Sequence, residues 1–167
     1  MVQGPRARVP FRRRREGRTD YRRRLRLLRS GQAREVVRKS LNQTQVQIVA
    51  YDERGDRVLA SAMSRELSDF GWSGTTGNIP AAYLTGLLAG RRAAKKGVKA
   101  AVLDVGAQHP SLGGRLFAAT KGLVDAGVEV PHGEDVFPIE DRIAGKHLGE
   151  ARAKAIAEVR AKVEAGA

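Results

Sequence analysis

Fourteen arginines and one lysine stand among the first forty residues, against three acids, Glu16, Asp20 and Glu35, so that segment carries +12 of a total of +13. Guanidinium groups at this density suit planar, bidentate contact with phosphate and stacking on bases. Left without a polyanion they would repel one another and extend the chain. The other 127 residues are nearly neutral. The expected partner is therefore nucleic acid. If about half of the fifteen cations each neutralise a phosphate, log K falls with log salt at a slope of roughly −5 to −7. A tail that only aids solubility needs far less charge.

Phosphate contacts of this kind carry little sequence information. The run Gly-Trp-Ser-Gly-Thr-Thr-Gly-Asn from Gly71 to Asn78 is a candidate source of specificity, since it holds the single Trp and precedes a helix start. Backbone N–H groups there could hold a phosphate, and Trp72 could stack on a base exposed in an RNA loop. The alternative is a tight structural loop in which Trp72 closes the edge of the core. The run is not a P-loop, because no Lys followed by Ser or Thr comes after Gly77. His109, His132 and His147 are scattered and lack metal-ligand spacing. Asp104, at the end of an apolar run, is the one residue that suggests catalysis. Two-metal nucleases gather several carboxylates at strand ends, but Asp52 and Asp56 lie in a turn. A hydrogen-bonding role for Asp104 is the expectation, and neither a metal nor another cofactor is expected.

These residues need elements to place them. Residues 1 to 18 mix Gly4, Pro5, Pro10 and Gly17 with arginines and show no periodicity, so they read as an extended arm with a reach of roughly 60 Å. Thr19 or Asp20 can cap a helix to about Ser30, stopped by Gly31, with Tyr21, Leu25 and Leu28 as its apolar stripe. Strands are expected over Arg34 to Ser40, Gln45 to Tyr51 and Arg57 to Met63, joined by turns into an antiparallel meander. In the second strand Val46, Ile48 and Ala50 alternate with Gln45, Gln47 and Val49.

A short helix near Ser64 to Asp69 precedes the glycine-rich loop. Ile79 to Lys96 reads as a strong helix, with Asn78 as cap, Pro80 in its first turn and Gly97 as stop. A buried strand over Ala101 to Val105, a helix over Leu112 to Ala126 and a short strand over Val128 to Val130 follow. The tail from Ile139 is helical, with Ile156, Val159 and Val163 as a weak stripe that could face the domain or a partner. The order βββ, α, β, α, β implies an α/β fold, a mixed sheet with helices on both faces. Three parts are expected: an arm and helix over 1–31, an α/β domain over 32–133 and a helical tail over 134–167.

The chain has no Cys, which removes disulfides and thiol chemistry and points to a reducing, intracellular compartment. No apolar run exceeds four residues, too short for a membrane span or a signal-peptide core. The arm also lacks the broad apolar face of a membrane-surface helix.

The runs Arg12 to Tyr21, Arg24 to Gly31 and Val37 to Ser40 resemble the archaeal ribosomal protein L eighteen family, related to the eukaryotic cytosolic ribosomal protein L five. So do Gly77 to Gly90 (Gly-Asn-Ile-Pro-Ala-Ala-Tyr-Leu-Thr-Gly-Leu-Leu-Ala-Gly), Ala101 to Gly106 and Asp125 to His132. The resemblance spans about residues 4 to 148. It implies a non-enzymatic constituent of the large ribosomal subunit, in the cytoplasm, that binds 5S rRNA and helps attach it to 23S rRNA in the central protuberance beside neighbouring ribosomal proteins. It implies a three-layer α/β/α fold like that of ribonuclease H, of the translational machinery component type, without catalytic carboxylates.

Carried over, the RNA-contacting residues are Arg6, Arg8, Arg12, Arg13, Arg14, Arg15, Arg18, Tyr21, Arg22, Arg23, Arg24, Arg26 and Arg29 in the arm, and Arg38, Lys39 and Ser40 after it. Asn42 joins them although Leu41 separates it from Ser40, where the family often has Asn directly. Trp72, Thr76 and Asn78 come from the loop reading above. Two other functions stay open: a general RNA-binding or architectural protein, and a ribonuclease H-like nuclease that needs magnesium and Asp104.

Overall fold

The computed structural model describes residue 4 and residues 8 to 166. Arg6, one of the expected contacts, lies outside the described residues.

Alternation in the first strand decides which side of the sheet faces the core. In β1 (Ala33–Lys39) Glu35 and Val37 are fully buried on one face, while Arg34, Val36 and Arg38 stand on the other. β1 pairs antiparallel with β2 (Thr44–Ala50), and β2 pairs antiparallel with β3 (Arg57–Met63). β4 (Ala101–Asp104) adds parallel to β1, which gives the order β3-β2-β1-β4. The expected meander and mixed sheet are present. A register shift at Ile48/Val49 leaves Leu59 as an extra residue in the edge strand β3.

On the apolar face lie α3 (Ile79–Lys95) and α4 (Arg115–Asp125), over a core of Val37, Val46, Ile48, Ala60 and Ala62. The two helices touch through small residues. A Cβ on Gly86 would collide with the Ala119 carbonyl, and one on Gly122 with the Tyr83 carbonyl. That close approach explains Gly86 and Gly90 of the 77–90 run, while a Cβ on Gly77 would meet the Leu41 carbonyl. Asn78 caps α3 as expected, its side chain accepting from the Ala81 N–H at 2.9 Å. A 3-10 helix (Ser64–Phe70) links β3 to the loop before α3.

On the polar face lie the two arm elements, α1 (Arg12–Arg15) and α2 (Tyr21–Leu28). Helices thus cover both faces, completing three layers. Asp20 caps α2 by accepting from the Arg22 and Arg23 N–H groups, which hold its carboxyl below the usual range. Beyond α4 come the short α5 (Glu140–Ile143), a 3-10 turn (Lys146–Leu148) and α6 (Glu150–Gly166). The α6 stripe Ile156, Val159 and Val163 is buried, and α6 packs against α3. The tail's apolar face is therefore turned to the domain.

Three expectations need correction. The first eighteen residues are not wholly extended: the Phe11 carbonyl accepts from Arg14 and Arg15 to close the α1 turn, and Gly17 at φ +66° turns the chain back. This brings the Phe11 and Tyr21 rings to 5.3 Å, a contact invisible to periodicity. Leu25 is 54% exposed, and the half-buried side of α2 is Tyr21, Arg24, Leu27 and Leu28. An ion pair, described below, turns the helix that way. Finally, Val128 to Val130 forms only a single parallel bridge, Ala100 with Glu129, before Pro131 ends it.

Candidate nucleic-acid interface

Between the arm and the polar face of the sheet runs a cleft of about 600 Å³. Val36, Val49 and Val58 pave it, and Arg13, Arg18, Tyr21, Arg23 and Arg24 line it from the arm. Arg34 and Arg38 line it from β1, and Asp56 and Asp104 supply its carboxylates.

The charges along its floor form one chain. Arg24 Nη2 meets both Asp56 oxygens at 2.8 and 2.9 Å, and Arg34 Nη2 meets Asp56 at 2.6 Å. Arg34 Nη1 meets Asp104 at 2.8 Å, and Arg38 Nη2 approaches Asp104 at 3.4 Å. Arg34 is only 2% exposed, so its charge is held in place by two carboxylates. Burial pushes the Asp56 carboxyl up, but the hydrogen bonds from Arg24 and Arg34 outweigh it and the group ends below its usual value.

Asp104 also accepts from the Gly106 N–H at 2.9 Å, so both of its oxygens are engaged. The hydrogen-bonding role expected of it is present. Among the described residues no group of His, Asp and Glu could hold a metal ion.

Around this floor the arm presents free cations. Arg8, Arg14, Arg15, Arg22, Arg26 and Arg29 are exposed and make no ion pair among the described residues. Arg12 and Arg18 share Glu16 at 3.7 and 3.2 Å, Arg13 donates to the Thr19 hydroxyl, and Arg23 donates to the Gly106 carbonyl at 2.9 Å. Arg38 is tied by its Nη1 to the carbonyls of Val37 and Asp104, yet its side chain stays 42% exposed.

The other expected residues gather elsewhere. Ser40 and Asn42 lie in the β1–β2 hairpin, just past Lys39. The hairpin is tied to the glycine-rich loop by a hydrogen bond from the Thr76 hydroxyl to the Asn42 carbonyl at 2.6 Å. Arg115 adds bonds to the carbonyls of Ser40 and Leu41 at 3.0 and 3.2 Å. The intervening Leu41 stands 87% exposed at this tip. Gln108 clamps the end of β1 by accepting from the Lys39 N–H.

Asn78 is occupied at both ends of its amide, since it also donates to the Thr75 hydroxyl. Trp72 is half-buried and lines a 140 Å³ pocket with Leu148, Ile156 and Val159; its indole N–H is shielded and has no acceptor among the described residues. Thus the loop residues and the arginine cleft are separate places on the chain.

Sequence reasoning missed Glu35. It is completely buried, both carboxyl oxygens lack a hydrogen-bond partner among the described residues, and burial raises its pKa to about 8. The nearby Thr120 hydroxyl tempers that rise, but its one proton is given to the Leu116 carbonyl at 3.3 Å, so the carboxyl stays without a hydrogen bond. The place of Glu35 in phase with the apolar Val37 was the available signal.

An α/β domain carries an arginine arm across the polar face of its sheet, with the strand-end carboxylate of Asp104 locked in ion pairs, an arrangement that suits a polyanion-binding protein. Sequence comparison narrows that class. Residues 5–99 match the family described as ribosomal large subunit proteins 60S L5, and 50S L18. The chain is 55% identical over 150 residues to large ribosomal subunit protein uL18 of Methanococcoides burtonii, covering 90% of this chain and 87% of that one. It has the same identity over 150 residues to large ribosomal subunit protein uL18 of Natronomonas pharaonis, covering 90% and 82%. The chain belongs to this family of large-subunit ribosomal proteins.

Proposed function

We infer that this chain is a structural constituent of the large ribosomal subunit that binds 5S rRNA and helps attach it to 23S rRNA in the central protuberance, beside neighbouring ribosomal proteins. The observation that carries the reading is the arm itself: six exposed arginines without ion pairs among the described residues, anchored over a sheet face whose own charges are neutralised pair by pair. Guanidinium groups so presented meet phosphate bidentately at little ordering cost. The contacts assigned are the exposed arginines of the arm together with Arg13, Arg18, Arg23 and Arg38 around the cleft. Lys39, Ser40 and Asn42 at the hairpin form a second group.

Binding of the full chain to 5S rRNA with excess tRNA as competitor tests this reading. Retained preference for 5S rRNA as salt is raised supports it. Equal binding to both RNAs would favour the general RNA-binding alternative instead.

A further inference from the structure

Away from the arm, the chain holds a second concentration of positive charge. Between Asp69 and Asp104 it contains no acid and five cations, Arg91, Arg92, Lys95, Lys96 and Lys99. They cluster at the C-terminal end of α3, on the opposite side of the sheet from the arm. Cations in the last turn of a helix suit its dipole, but that effect does not explain where these side chains go.

Arg92 and Lys96 reach sideways to the free edge of the sheet. Arg92 donates to the Ser61 carbonyl at 2.6 Å, and the Lys96 ammonium donates to the carbonyl of Leu59, the extra residue of β3. These bonds occupy acceptors of an edge strand that could otherwise pair with another chain. They also fix the two cations along a groove of about 400 Å³, walled by residues 58 to 61 of β3 with Arg92, Lys95 and Lys96. Arg92 is paired with Glu66, whereas Arg57, Arg91, Lys95, Lys96 and Lys99 meet no carboxylate among the described residues.

No aromatic side chain lines the groove. Its apolar lining is limited to Val58, Leu59 and Ala60 of the strand itself, and every charge on it is positive, which suits a nucleic-acid backbone, since that needs only spaced cations.

We propose that the α3 end and the β3 edge form a second contact for the phosphate backbone of the RNA that the arm engages, so that the chain holds that RNA from both sides of its sheet. This rests on the proposed binding of 5S rRNA. Lys95 and Lys99 are exposed, and no hydrogen bond or ion pair of their side chains is found among the described residues, so replacing them leaves the fold intact.

The experiment compares the full chain with Lys95→Ala/Lys99→Ala, and with Lys154→Ala/Lys162→Ala, which removes the same charge from exposed positions of α6. Salt dependence of affinity for 5S rRNA is measured for each, together with protection of lysines from acetylation in the wild-type complex. The expected result is a salt slope shallower by about 1 to 2 for the α3 variant alone, with Lys95 and Lys99 protected. Slopes equal for the two variants, or unprotected Lys95 and Lys99, overturn the inference and leave a protein occupant for the groove. Failure of the wild-type chain to prefer 5S rRNA overturns the function itself, a different outcome read from a different sample.

Discussion

Arg34 and Glu35 are neighbours on β1 and reach opposite states of charge. Arg34 points to the polar face, where Asp56 and Asp104 hold it ionised; Glu35 points to the core, where no cation among the described residues faces it and burial lifts its pKa to about 8. A carboxyl whose folded pKa exceeds its unfolded value of 4.5 binds its proton more tightly in the native state. Stability tied to it is therefore full below pH ~4.5, falls as pH rises, and is lost above pH ~8. The penalty at pH 7 is on the order of 3 kcal/mol. Glu35→Gln should flatten the decline in unfolding free energy between these limits, as read by urea denaturation across a pH series. An unchanged slope would show that the carboxyl is not the titrating group. This residue was legible in principle, because the alternation of β1 puts it in phase with Val37, but a count of charges treats every acid as ionised.

At the scale of elements, α2 is held on the domain by few bonds, and these are polar. Arg24 grips Asp56, Arg23 reaches the Gly106 carbonyl, and Leu27 and Leu28 are only half-buried. Asp56 thus ties the turn before β3 to both the arm and the buried Arg34. Asp56→Asn should raise amide hydrogen exchange in α2 while leaving β1 and α3 protected; equal protection in both proteins would place the arm's attachment elsewhere. The helix and its Asp20 cap were readable from the residues, as were the three-stranded meander and the Asn78 cap. The face α2 turns inward was not, because an apolar stripe predicts Leu25 inside whereas a long-range ion pair puts Arg24 there. The return of the arm after α1 was hidden for a similar reason: it is seen in a Phe11–Tyr21 contact between residues ten apart. Trp72 and Asn78 drew attention as part of a polar, glycine-rich loop; the cap was legible locally, whereas the packing of Trp72 beside Leu148, Ile156 and Val159 depends on tertiary neighbours.

At the scale of the whole molecule, positive charge is set in layers around a nearly neutral core. The arm spreads unpaired arginines over one face, the interior keeps its charges paired or protonated, and the α3 end adds lysines on the other side. Such a distribution makes affinity depend on salt while the folded domain is left to supply shape. The most direct measurement is a salt series of affinity for 5S rRNA, with tRNA as competitor, on the full chain and on a chain lacking residues 1 to 20. The account predicts that the full chain shows a slope of roughly −5 to −7, and that the shortened chain binds more weakly with a shallower slope while keeping its preference for 5S rRNA. An unchanged slope, or a preference that vanishes with the arm, would contradict it.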